Sequence, residues 1–162
     1  GRSFAARLPA STGIGARGES GDCVMDLLAV RPGPRACDRV RRSARQGLAL
    51  RYGSAFARAL VLRDGPRRTV HVSGTASIDA SGASVGLGDP GLQSRNTVVN
   101  VAAALAEGGA GLKDIAAAVL YCKDRRACEA FLRVSRLPAI PVLADVCRPE
   151  LEVELEAVAV RG

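Results

Sequence analysis

From residue 56 to the C terminus, short apolar runs bounded by turn residues alternate with two helical stripes, and their order leaves few ways to bury them. Residues 57–62 and 69–78 are rich in apolar and β-branched side chains. They are joined by RDGPRR, in which Asp64-Gly65 is a strong hairpin signal. After a polar, glycine-rich connection over 79–91, Leu92, Val98, Val99, Ala102, Leu105 and Ala106 fall on one broad helical stripe that Gly108-Gly109 stops. Residues 114–122 form a continuous apolar run that reads as a buried strand, and 126–135 reads as a short helix stopped near Pro138. Two further strands, 141–147 and 151–160, are separated by Arg148-Pro149-Glu150. The order β-β-α-β-α-β-β predicts an α+β chain, a mixed sheet with two helices packed on one face.

The N-terminal third reads differently. Residues 8–30 suggest a β-hairpin: PASTGIGA, a turn GESGD at 18–22, then the apolar strand CVMDLLAV. Two strands are marginal in water, so this piece must extend a larger sheet or meet a partner. CVMDLLAV also resembles LEVELEAVAV at Leu151 in following a turn and ending on an apolar-Ala-Val strand. Residues 1–33 are therefore expected to be the last hairpin of a preceding, related domain. Residues 34–55 are expected to be an Arg-rich linker ahead of a domain at 56–162. Seven arginines lie between residues 31 and 51 (Arg31, Arg35, Arg39, Arg41, Arg42, Arg45 and Arg51). They suit either a polyanion-binding arm or a solvated linker or surface helix. With no aromatic or glycine-rich cradle beside them, the solvated reading is preferred.

Composition narrows the function. The formal charge is +7, nearly all from Arg, since Lys113 and Lys123 are the only lysines. Such a balance invites an anionic partner. However, aromatics make up 3% of the chain and Trp is absent, so the stacking platform of a single-strand binder is nearly missing and nucleic acid is disfavoured. The longest apolar runs, 98–106 and 115–122, are far short of a membrane span. The five cysteines form an odd set with no C-x-x-C, and no secretory pattern opens the chain, so reduced thiols in a cytoplasmic protein are expected. His71 is the one histidine and reads as a core or sheet-face residue. Neither a metal site nor a cofactor is expected.

The tract VHVSGTASID, a helix bearing Gln93, Arg95 and Asn100, the pair Lys123-Asp124 and the terminal LEVELEAVAV together resemble the YjgF/YER057c/UK114 (RidA-like) superfamily. The likeness covers roughly residues 56–161. It implies the RidA/chorismate-mutase-like fold and a homotrimer with small-molecule sites in clefts between subunits. Imine-deaminating members hold the substrate carboxylate with an Arg shortly after a Pro-Ala pair. Here Pro138-Ala139 is followed by Ile140, which cannot make that forked contact, so imine deamination is disfavoured. Ribonuclease activity has been attached to some members, yet the chain lacks a His pair or metal-ligand cluster to cleave a phosphodiester.

Within the superfamily the chain is more similar to the C-terminal half of the chorismatases, cofactor-free enzymes that hydrolyse chorismate to pyruvate and a cyclohexadiene or benzoate product. The matching pieces are Tyr52-Gly53 followed by FARA at 56–59, SGTASI at 73–78 and DVCRPELEVELEA at 145–157, and LPASTGIGA resembles the end of the chorismatase N-terminal domain. Most of that first domain lies outside the resemblance.

Cleaving an enol ether needs one placed carboxylic acid, to protonate the vinyl carbon, and cationic groups for the substrate's carboxylates. The resemblance selects Glu154 as the acid. Strand alternation alone puts Glu152, Glu154 and Glu156 together on what would be a solvated face. Arg148 and Arg58 are the carboxylate candidates, each weighed against a surface arginine. Ser73, Gly74, Thr75 and Ala76 could bring backbone and hydroxyl donors close to a ligand, and Tyr52 could cap the pocket. Cys147 has no adjacent base and is not expected to act as a nucleophile. The expected partner is a small anionic metabolite, to be hydrolysed or, in the alternative, only bound by a RidA-like module that has lost turnover.

Overall fold

A computed structural model describes residues 7–15, 25–31 and 36–162. Six strands, β1 (Cys37–Val40), β2 (Ala59–Asp64), β3 (Arg67–Ala76), β4 (Ile115–Cys122), β5 (Ala139–Leu143) and β6 (Val153–Arg161), form one sheet in the order β1-β2-β3-β6-β4-β5. All neighbouring pairs are antiparallel except β4 with β5. The β2–β3 turn centres on Asp64-Gly65, and Gly65 adopts φ 56°, a left-handed conformation that suits glycine.

Helices α1 (Pro90–Glu107) and α2 (Arg125–Val134) pack on one face of the sheet. Each starts at an aspartate: Asp89 accepts from Leu92 N and Asp124 from Ala127 N. Their buried sides, through Val101, Ala104, Leu105, Ala127 and Phe131, meet Val61, Val70, Val72, Leu120, Leu155, Ala157 and Ala159 of the sheet. Residues opposite each other in an antiparallel pair share a face. Leu155, opposite Thr75, is therefore on the helix side, and Glu154, opposite Ala76, is on the other. No helix among the described residues is long and apolar enough to cross a membrane.

The chain from residue 56 onward thus has the predicted α+β order, and the N-terminal part departs from expectation. Residues 37–40, within the stretch read as a linker, form edge strand β1. Asp38 there pairs with Arg63 at 2.8 Å. Residues 46–52 fold back on the sheet, burying Gln46 and Ala49 and ending in a 3-10 turn. The expected turn at 18–22 and Cys23 lie outside the described residues. Of the predicted hairpin strands, 25–31 have no strand pairing and expose Met25, Leu27 and Leu28. Residues 8–15 run extended, with only isolated bridges from Ala10 to Ala57 and from Gly15 to Asp145. Strand β5 starts and ends earlier than 141–147. Pro141 is accommodated because β5 is an edge strand, where a missing amide costs no ladder bond.

Candidate active site

On the face away from the helices, where β3 ends and β6 begins, lies a cavity of about 360 Å³. Its floor is Gly74, Ala76 and Glu154. One wall is Tyr52, Ser54, Ala55, Phe56 and Arg58. Ile78 and the loop residues Cys147, Arg148 and Leu151 close another side, and Ser11 and Gly13 cross from the N-terminal segment.

Glu154 is 4% exposed, and its Oε2 has no hydrogen-bond partner among the described residues. Burial pushes its carboxyl up to about 7, opposed by hydrogen bonding from Cys147 and helped by the neighbouring Glu156. The Cys147 thiol is in turn pushed up to about 11, first by its own burial and then by Glu154. Gly74 is what lets the carboxyl lie this close to β3: a Cβ there would fall on Glu154 Oε1 and stand 2.7 Å from Thr12 Cγ2. Across β4, Tyr121 is opposite Glu154, and its hydroxyl is raised to about 12 by burial and by Glu156.

Two guanidiniums share the cavity. Arg58 is 1% exposed, and its Nε and Nη2 donate to the Gly47 carbonyl at 3.1 and 2.9 Å. It lies against the rings of Tyr52 and Phe56, 5.3 Å from each centroid. Arg148 sits 5.4 Å from the Tyr52 centroid and donates through Nη1 to the Gly82 carbonyl at 2.8 Å and to Ser84 Oγ at 3.2 Å. Tyr52 thus lies against both cations. Its hydroxyl is buried without a hydrogen-bond partner among the described residues, and its acidity is reduced by burial against the opposing pull of Arg58. Among the described residues neither arginine pairs with a carboxylate, so both charges are available to an anion.

Six residues singled out from the sequence therefore meet at one cavity: Glu154, Arg148, Arg58, Tyr52, Gly74 and Ala76. Two do not line it. Ser73 Oγ donates to the Ala57 carbonyl at 2.6 Å and accepts from Ser11 N at 2.9 Å. Thr75 is opposite Leu155 on the helix side and donates to the Ser73 carbonyl at 2.8 Å. The irregular register between Val72 and Thr75 explains why neighbours along β3 turn to different tasks. Ile140 is 68% exposed on β5 and does not line the cavity.

The lining also includes residues that the sequence did not single out for the site: Ser11, Gly13, Ser54, Ala55, Phe56, Ile78, Cys147 and Leu151. For Cys147 a signal existed in its matching tract DVCRPELEVELEA, since it precedes Glu154 across a single loop; for Ser11 and Gly13 nothing local pointed to β3. No group of three or more His, Cys, Asp or Glu side chains among the described residues could hold a metal ion.

No protein-family model matches the chain, and no curated protein matches it. Solved structures do. A chorismatase is similar at a TM-score of 0.72 and 22% identity, covering 96% of this chain and 52% of its own, so this chain spans about half the length of that enzyme. A member of the YjgF/YER057c/UK114 family from Mycobacterium tuberculosis is similar at a TM-score of 0.55 and 25% identity, over 75% of this chain and 98% of its own. A Rid-family protein, YyfA, from Yersinia pestis has a TM-score of 0.63 and 16% identity over 76% of this chain and 98% of its own. The chain has the RidA-like fold, shared by these proteins and the chorismatase.

Proposed function

We propose that the protein hydrolyses the enol ether of a small dicarboxylate such as chorismate, releasing pyruvate, with Glu154 as the proton donor. The observation that carries this reading is a buried carboxyl, poised near neutrality, in the same cavity as two guanidiniums that pair with no carboxylate among the described residues.

Each residue type has a task in that chemistry. Arg58 and Arg148, anchored by the carbonyls of Gly47 and Gly82, take the substrate's carboxylates and fix its orientation. Glu154 in its acid form gives its proton to the terminal vinyl carbon, and the ether carbon becomes an oxocarbenium ion. Water adds to that carbon and returns a proton to the Glu154 carboxylate. The resulting hemiketal breaks its bond to the ring oxygen, so one water is consumed and pyruvate and the ring alcohol leave. A carboxyl titrating near 7 retains a large acid fraction at neutral pH, as general acid catalysis requires. The similarity to a chorismatase over 96% of the chain supports this substrate class.

The second reading is a RidA-like protein that binds a small anion without turnover. It is supported by the similarity to YjgF/YER057c/UK114 and Rid-family proteins over 98% of their own length. Incubation of the chain with chorismate, with pyruvate measured by a coupled dehydrogenase, separates the two. Turnover is expected, and Glu154→Gln is expected to lower it by about 100-fold or more, the usual scale for losing a general acid. Binding of chorismate without any pyruvate from the unmutated chain selects the second reading.

A further inference from the structure

Residues 8–15 form a strap held down along its length. Leu8 is 2% exposed and its carbonyl accepts from Arg39 Nε at 3.0 Å. The Pro9 carbonyl accepts from Ala57 N at 2.7 Å, and Gly15 exchanges backbone hydrogen bonds with Asp145 at 2.8 and 2.9 Å. Between these ends the strap takes the donors and acceptors that β3 offers at its irregular point. Ser11 N donates to Ser73 Oγ at 2.9 Å, and Gly74 N donates to Thr12 Oγ1 at 2.9 Å.

The strap meets the acid at Gly74. The place a Cβ would occupy there is flanked by Glu154 Oε1 and by the Thr12 methyl, so that methyl packs beside the carboxyl. Residues 8–15 carry no ionisable side chain. The strap therefore brings no charge to Glu154. The charged and titratable groups around the carboxyl come from elsewhere: Cys147 and Arg148 from the β5–β6 loop, Glu156 on β6, Tyr121 on β4 and Arg58 ahead of β2.

We infer that the strap is the roof over Glu154 and that Thr12 is a positioning residue, fixing the roof to Gly74 and keeping water from the carboxyl. This rests on the reading of Glu154 as the proton donor. Its test is independent of turnover: titration of the full chain, labelled at glutamate carboxyl carbons, by NMR without substrate, with Glu154 assigned through Glu154→Gln. In the unmutated chain Glu154 is expected to titrate near 7. Thr12→Ala is expected to bring it down by about one unit or more, because loss of the roof hydrates the charged form. Thr12→Ser, which keeps the acceptor for Gly74 N, is expected to hold the titration closer to the unmutated value. Folded Thr12→Ala with an unmoved Glu154 titration overturns the inference. Should Thr12→Ala not fold, Ser73→Ala removes the adjacent anchor and must lower the same titration; an unmoved value there overturns it as well. Failure to release pyruvate would remove the chemical reading and leave this measurement to decide the strap.

Discussion

Glu154 illustrates how a surface-like pattern can hold a buried acid. Its neighbours along the same strand face, Glu152 and Glu156, remain partly exposed, and only Glu154 lies beneath Thr12 and beside Gly74. Its titration has a consequence for stability. The folded chain holds the Glu154 proton up to about pH 7, whereas the unfolded chain releases it near the ordinary glutamate value of about 4.3. Stability therefore falls as pH rises through that window and levels off above it. Glu154→Gln removes the dependence. Denaturant unfolding should find the variant close to the unmutated chain near pH 4 and more stable by on the order of 1–3 kcal/mol at pH 8. A variant less stable at pH 8 would mean that the carboxylate is well satisfied in the folded chain. The resemblance, and not the strand period, pointed to Glu154, because alternation shows which residues share a face and not what covers it. Arg58 and Arg148 could be proposed from their matching tracts. That Ser73 and Thr75 spend their hydroxyls on backbone could not be seen, since it follows from the irregular register of β3 and from the strap.

At the level of elements, strands and helices from residue 59 onward were readable from their turn and stop signals, Asp64-Gly65 for the hairpin and Gly108 at the end of α1. The inner face of α1 was not: of the expected stripe only Leu105 is buried, Leu92, Val99 and Ala106 are exposed, and the polar Gln93, Ser94, Thr97 and Asn100 turn inward with Val101 and Ala104. Strand β1 was not readable either, because CDRV at an edge carries a charged pair and no alternation of its own. The strap resembles half a hairpin in sequence for a related reason. Residues 8–15 run extended, but their partners are residues far along the chain, at Ala57, Ser73, Gly74 and Asp145. An element held by side-chain and isolated backbone bonds should respond to a single anchor. Ser73→Ala is expected to speed amide hydrogen exchange within residues 8–15 by about tenfold, the loss of roughly one hydrogen bond, while α1 keeps its protection. Equal loss in α1 would show that Ser73 supports the whole sheet and not the strap.

Across the whole molecule, the division of labour follows the two faces of the sheet. One face is closed by α1 and α2 and supplies the apolar core. The opposite face, where β3 ends and β6 begins, holds the acid, the two arginines and the strap that roofs them. Enol-ether cleavage by carbon protonation leaves an isotopic mark, and it tests the central claim most directly. Turnover of chorismate in deuterium oxide should yield pyruvate whose methyl group carries one deuterium, delivered to the vinyl carbon, at a rate that falls about 100-fold or more in Glu154→Gln. No pyruvate, or singly deuterated pyruvate formed equally fast by the variant, would contradict a proton donor at Glu154.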